Sequence, residues 1–374
     1  MAIHYKIVLI LIALGLLATI SLGSCKLIKN KFKKDMSKKY EWSPSMGAPK
    51  FYPVRVDRAY MLYGEDKARI IPSGGMLNNR LGTGAGGRMA LGPDRLFEAP
   101  TGVEVVWWSL VEDQTYEASF ELPAKTIEKH LAESYGTHTF TGGREVVLYY
   151  DEVNVTLLPG GRILVYLSGG GRRIELDTIY QAKKIAPLPV RKWFPDSSIE
   201  SIQDYIDLTW KHEPHLLEHL QANGIPHELW DRYRKRYNYD IVFEFEKAEE
   251  TVLNEGGVYH FINGELYRTE QYFPITFKAT PKNIYRGWRV GDTRYSGRFY
   301  LQEKDIIEAF DRIDSDTRAE LVIKVCKYNN LFDIVLRTEK EEIEIENTQI
   351  EVFKDGELIY WNYRGEERTK FIAE

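Results

Sequence analysis

Hydrophobic and polar positions alternate in short runs along most of the chain beyond residue 45. Runs at 103–108, 146–150, 153–157, 163–167, 241–245 and 334–336 are separated by Gly, Asn and Asp, the pattern of half-buried strands joined by tight connections. Asn263-Gly264 and Asp355-Gly356 each interrupt such a run and predict hairpin turns. Their settings match: Phe261-Ile262-Asn263-Gly264-Glu265-Leu266 against Phe353-Lys354-Asp355-Gly356-Glu357-Leu358. Between these strand-rich stretches the period changes. Pro187, Pro189 and Pro195 mark the break, Asp196-Ser197-Ser198 offers a helix N-cap, and Ile199, Ile202, Tyr205, Ile206 and Leu208 fall mostly at helical spacing. A second helix is expected after Pro226, carrying Leu229, Trp230 and Tyr233.

The strand pattern recurs. Tyr116-xxx-Phe120-x-Leu122-xx-Lys125-x-Ile127 returns as Tyr295-xxx-Phe299-x-Leu301-xx-Lys304-x-Ile306, a strand running into a helix that begins near Lys125 or Lys304. Upstream, Tyr52-Pro53-Val54-x-Val56 is echoed by Phe273-Pro274-Ile275-x-Phe277. Downstream, Val165-x-Leu167 and Ile174-Glu175-Leu176 return as Ile334-x-Leu336 and Ile343-Glu344-Ile345. The expected fold is therefore α+β: two related antiparallel-strand-rich modules, each with a helix, joined by a helical insert. The corresponding boundaries are 46–190 for the first module, 191–240 for the insert and 241–374 for the second.

The first forty residues have a different character. Lys6 precedes an unbroken apolar run at 7–14, continued by Gly15-Leu16-Leu17, and the chain then reaches Leu22-Gly23-Ser24-Cys25. A basic start, an apolar stretch of secretory length and small residues before a cysteine read as a lipoprotein signal over 1–24, with Cys25 as the lipidated residue. An uncleaved membrane anchor is the alternative, and either places the body outside the cytoplasm. Lys26, Lys29, Lys31, Lys33, Lys34, Lys38 and Lys39 follow in a tether, 25–45, that either attracts anionic headgroups or is simply solvated. By resemblance to other lipoproteins, Lys26 after the acylated Cys favours the outer over the inner membrane.

Charge narrows the partners. Of a formal net −5, residues 1–25 contribute +1 and residues 26–39 contribute +6, which leaves −12 on the body. An acidic body lacks the basic face that phosphate backbones require, so nucleic acid is excluded as the expected partner. With Cys25 acylated, Cys326 is the only other thiol; it falls in the strand-like run 321–326, where a packed cysteine is expected. No cofactor is implied.

Three constellations invite chemistry. Gly82-Thr83-Gly84-Ala85-Gly86-Gly87 contains the letters of a dinucleotide loop but lacks the preceding strand and following helix, so the 80–92 stretch reads as a loop at a binding face. His215-Leu216-Leu217-Glu218-His219 matches the inverted zinc-protease pattern, with His215 and His219 as ligands and Glu218 as base, although Pro214 forces the helix to start there and no third ligand is evident. Trp107-Trp108-Ser109-Leu110-Val111-Glu112-Asp113 is the densest unusual stretch. Adjacent carboxylates in a strand face opposite ways, which argues against a paired acid and base, and core or recognition roles are the stronger expectation for its side chains.

Several of these segments carry a resemblance. Tyr40-Glu41-Trp42, Phe51-Tyr52-Pro53-Val54-x-Val56, the stretch from Pro100 through Trp107-Trp108-Ser109 to Glu112 and Tyr116, Leu122-Pro123, Leu158-Pro159-Gly160-Gly161-Arg162 and Gln181-Ala182-Lys183 resemble an uncharacterised bacterial lipoprotein family, domain of unknown function twenty-nine thirty-one. The likeness covers roughly 40–190, and no Trp-Ser-x-x-Glu stretch precedes Tyr295. Similar lipoproteins neighbour secreted lipase toxins, which implies an immunity role. The leading expectation is a membrane-anchored, non-enzymatic envelope lipoprotein that binds a protein partner through aromatic anchors, with Trp107, Trp108, Glu112, Trp288 and the 80–92 loop as candidates. The alternatives are a zinc hydrolase centred on His215, Glu218 and His219, and a glycan or cell-wall binder.

Overall fold

The computed structural model describes residues 38–70, 75–84, 96–139, 143–269, 276–364 and 368–373. Cys25 and most of the basic tether therefore lie outside the described residues. After a two-residue strand at Tyr40–Glu41 comes β1 (Ser43–Gly47), all five residues buried. The chain then builds β2 (Val54–Tyr63), β3 (Pro100–Ser109) and β4 (Gln114–Glu121), and β4 runs directly into α1 (Ala124–Ala132). A meander of β5 (Tyr150–Leu158), β6 (Arg162–Gly169) and β7 (Arg172–Glu175) follows, with β1 parallel to β5. Four helices come next: α2 (Val190–Trp193), α3 (Ile202–His212), α4 (Pro214–Asn223) and α5 (Leu229–Arg234).

The second half begins with β8 (Arg236–Phe245) and the hairpin of β9 (Val258–Phe261) with β10 (Leu266–Arg268). A long hairpin, β11 (Pro281–Val290) with β12 (Thr293–Tyr300), runs into α6 (Glu303–Asp311). The meander β13 (Ala319–Val325), β14 (Phe332–Arg337), β15 (Glu342–Glu344) follows, with β8 parallel to β13. A closing hairpin of β16 (Gln349–Lys354) and β17 (Glu357–Trp361) ends the strands.

The fold is α+β and strand-rich, with several antiparallel sheets. A twelve-stranded sheet has the order β1-β5-β6-β7-β10-β9-β11-β12-β16-β17, with two short strands beside β6 and β11. A six-stranded sheet holds β2, β3 and β4, and a five-stranded sheet holds β8, β13, β14 and β15. The core of the first half lies between Val103, Val105 and Trp107 of β3 and Val153, Val155 and Leu157 of β5. The second core joins the helices to the later strands through Leu216, Trp230, Tyr233, Ile284, Trp288 and Phe310.

Several expected boundaries move. Trp42 is buried and its indole N–H donates to the Glu98 carbonyl at 3.0 Å, so the body starts near Tyr40 and not at residue 46. The 240/241 boundary falls inside β8. Arg172 and Arg173 of β7 pair with Tyr267 and Leu266 of β10, so one sheet runs through both halves. The echo of Tyr52–Val56 fails as well: β2 pairs with β3, whereas Phe277–Ala279 pairs with β8, and Phe273, Pro274 and Ile275 lie outside the described residues. The cap of α3 is Ser201, whose hydroxyl accepts from the Asp204 N–H while the Asp204 carboxylate takes the Ser201 N–H. That reciprocal box outcompetes Asp196-Ser197-Ser198, where Ser197 instead accepts the Ile199 N–H. Pro214 occupies the first turn of α4, the position a missing N–H tolerates.

The two Asx-Gly sites are both hairpin turns. Asp355 and Gly356 have φ of 48° and 91°, the double left-handed conformation that fits a twisted two-stranded ribbon. At the other site only Gly264 is left-handed, and Asn263 is buried.

Candidate functional site

Trp107 and Trp288 are fully buried and cannot be surface anchors for a partner. Both sit on the core face of a hairpin, opposite a tyrosine. Trp107 stacks on Tyr116 at 5.3 Å and Trp288 on Tyr295 at 6.0 Å. The Trp288 N–H donates to Asn329 at 2.7 Å, and Asn329 donates in turn to Glu250 at 2.8 Å. Trp108 faces the other way but is covered by the helical segment, with Trp193 and Tyr205 about its ring. Its indole N–H donates to Asp113 at 3.1 Å. Aromatic alternation marks these positions as half of a strand; it does not say which strand face a later segment covers.

Glu112 sits in the β3–β4 connection and accepts from the Tyr116 hydroxyl at 3.0 Å and the Gly160 N–H at 2.9 Å. Burial, reinforced by this carboxylate, pushes the Tyr116 hydroxyl well above its ordinary range. The pair fastens the hairpin to the β5–β6 turn, and it is an internal strut. Asp113 lies at positive φ in the turn, so the two carboxylates serve different bonds.

The described part of the glycine loop, 80–84, lies flat on the β1–β5–β6 face. A Cβ at Gly82 would come within 2.6 Å of Arg173, and one at Gly84 within 2.5 Å of the Ser45 Cβ. The Gly82 N–H donates to Thr156 at 3.2 Å, and Thr156 belongs to a buried polar ladder with Asn154, Ser45 and Glu152. These glycines permit close approach of backbone to sheet. Residues 85–92 of the expected loop are outside the described residues.

On α4, His215 is exposed and lies 3.5 Å from Glu213, while Glu218 is exposed. His219 stacks face to face on Phe51 at 3.9 Å, with the Tyr52 hydroxyl 3.4 Å from its Nε2. Burial lowers the His219 pKa, with His215 and Lys50 adding to the effect. Among the described residues no three His, Cys, Asp or Glu gather to hold a metal, and a catalytic zinc takes three protein ligands. The space behind this face is filled. Tyr233 donates to Glu303 at 2.6 Å, the Ile372 N–H bonds the same carboxylate, and Phe371 and Ala373 are buried. Cys326 lies just past the end of β13, half-buried, with its Sγ 3.3 Å from the Asn330 side chain.

A buried ionic network at the meeting of the halves escaped the sequence reading. Glu175 ends β7 and pairs with Arg234 of α5. Glu265 receives both terminal nitrogens of Arg236 at 2.9 Å and also takes the Glu175 N–H at 3.1 Å. Asn263 reaches Glu175 at 3.3 Å, and the Tyr166 hydroxyl donates to the Asn263 carbonyl at 2.7 Å. Burial outweighs the ion pair and pushes the Glu175 carboxyl up to about 7. Burial opposes the charge on the Arg236 guanidinium, but the Glu265 carboxylate, helped by Glu175, more than offsets it and moves the group upward. Ion pairs from Glu175 to Arg234 and from Arg236 to Glu265 tie first half, helices and second half together.

Among the described residues an open apolar surface lies at the edge of the large sheet. There β17 pairs only with β16 among the described residues, and its Leu358, Ile359 and Trp361 are exposed at 43%, 42% and 56%. Tyr360 turns inward onto Phe332 at 5.8 Å. That contact brings up the β13–β14 turn, which exposes Tyr328 and Leu331 at 69% and 62%. The sequence did carry a signal: Leu358-Ile359-Tyr360-Trp361 is a run of four apolar residues with no polar alternation.

A family model described as Protein of unknown function (DUF2931) matches residues 28–258. The chain belongs to the DUF2931 family. No curated protein and no solved structure matches it. The DUF2931 segment takes in the first half, all four connecting helices and β8, a longer reach than the 40–190 of the sequence resemblance. The second long hairpin and the exposed β17 edge lie beyond it. Among the described residues no helix is long and apolar enough to cross a membrane.

Proposed function

We propose that this DUF2931 protein is a lipid-anchored lipoprotein of the cell envelope, held through Cys25, with the outer membrane favoured over the inner. Its body acts as a protein-binding module and not as an enzyme. The observation that carries the binding role is the β17 edge: unpaired backbone groups beside Leu358, Ile359 and Trp361 are what an incoming extended strand requires. Edge strands are ordinarily protected by charge, proline or cover, and β17 has an apolar surface in their place. The candidate acid–base groups support the same reading, since Glu112 and His219 are already engaged within the fold. A secreted lipase-type toxin is the partner that the family resemblance implies.

We further infer that the two halves are related modules. Each has a parallel entry strand, a hairpin with a core Trp–Tyr pair, a nine-residue helix directly after the hairpin, and a three-stranded meander. The second copy continues into β16 and β17, which creates the open edge.

The test is capture from envelope extract with wild-type protein and a Leu358→Lys/Ile359→Lys variant side by side. A partner retained by the first and lost by the equally folded second supports the proposal. No partner, or equal retention, overturns it.

A further inference from the structure

Arg289 of β11 stands directly opposite Arg294 of β12. Like charges at facing strand positions repel, yet neither side chain has a carboxylate partner among the described residues, and both are exposed. The register fixes this juxtaposition. The core pair Trp288–Tyr295 is one step away, so Arg289 and Arg294 must point to the outer face. On the same face the next pair is Gly287–Ser296, where Leu253 packs close over Gly287 and Ser296 supplies a hydroxyl, and the pair after it places Arg298 opposite Tyr285. Arg298 is braced, with its guanidinium 4.7 Å over the Phe353 ring and 3.3 Å from Glu351.

These residues line a groove of about 810 Å³, walled on its far side by the segment 251–256. Its acidic neighbours are few. Glu255 lines the exposed turn, and Asp355 spends Oδ1 on the Arg294 backbone N–H at 3.0 Å. The other long hairpin offers a comparison. One step past its own Trp–Tyr pair it carries Trp108 opposite Thr115, and there the helical segment covers the face. At the matching place on β11–β12 the sheet offers two unneutralised guanidinium groups, in a body of net −12.

We propose that this groove binds a phosphate group, with Arg289 and Arg294 as a two-pronged clamp, Ser296 as a hydroxyl donor and Arg298 as a third cation. Two guanidinium forks meet the oxygens of a dianion in the bidentate manner that arginine favours. Binding removes the repulsion between the facing arginines, so part of the affinity comes from relief of strain between like charges. The volume suits a phosphorylated small molecule or a phospholipid headgroup.

The experiment uses inorganic phosphate as the probe on full-length mature protein, with chloride at matched ionic strength as control. Millimolar phosphate raises the unfolding temperature of wild type above that in chloride. R289Q/R294Q unfolds at the same or a higher temperature than wild type without phosphate, and it loses the phosphate response. Calorimetric titration shows affinity falling about tenfold per arginine removed, the size of one charge-assisted contact. Glycerol 3-phosphate and vesicles of phosphatidylglycerol, against phosphatidylcholine vesicles, then separate a soluble ligand from a headgroup. Phosphate acting no better than chloride, or R289Q/R294Q responding like wild type, overturns the proposal. An R289Q/R294Q variant less stable than wild type in phosphate-free buffer contradicts the repulsion on which it rests.

Discussion

Glu175→Gln isolates the ionic network that joins the halves. The Glu175 carboxyl is lifted from 4.5 to about 7 because burial costs its charged form more than Arg234 returns. Between these two values the native state keeps a proton that the unfolded chain has released. Stability from this group is therefore complete below pH 4.5 and is lost as pH rises through 7. The shift corresponds to roughly 3 kcal/mol across the window, taking about 1.4 kcal/mol per pKa unit. Urea unfolding of wild type and Glu175→Gln across this range gives the difference directly, because other titrating groups are common to both. The wild-type curve should fall relative to the variant by about that amount. Parallel curves would refute the reasoning. Arg234→Met supplies a second check: with its cation gone the Glu175 carboxyl holds its proton to higher pH, so the fall in stability should extend to higher pH than in wild type.

Other outcomes follow from the same packing. Trp107→Ala and Trp288→Ala should each destabilise by about 3–5 kcal/mol in denaturant titration, as core deletions do; a folded variant of unchanged stability would contradict their burial. Gly82→Ala should cost about 1–3 kcal/mol, since its φ of 67° and the Arg173 side chain at 2.6 Å both oppose a Cβ. Thermal unfolding reads that loss. Labelled palmitate should enter wild-type protein in cells and be absent from Cys25→Ser; equal labelling of the two would remove the anchor.

Much of the secondary structure was legible because it is written locally. Strand alternation, the Asn263-Gly264 and Asp355-Gly356 turns, and the run from Tyr116 to Ile127 into a helix each depend on neighbours in sequence. What depends on distant segments was not. Trp107 and Trp108 look alike as letters, yet one is buried by β5 and the other by helices about a hundred residues away. The Glu175–Arg234 and Glu265–Arg236 pairs span 59 and 29 residues, and no spacing rule selects them from the other charges of the chain. Glycines 82 and 84 fall in a stretch that reads as a loop at a binding face, but what they accommodate is the crowded face of a sheet. The run 358–361 breaks the alternation, but only the strand order shows that it forms an edge.

Amide hydrogen exchange on β17 tests the central claim most directly, measured on the free protein and on its complex with the captured partner. Strand addition predicts slowed exchange within Leu358, Ile359, Tyr360 and Trp361 on binding, with β1 at the opposite end of the sheet unchanged. Unaltered exchange at β17 in a complex of full occupancy would contradict it.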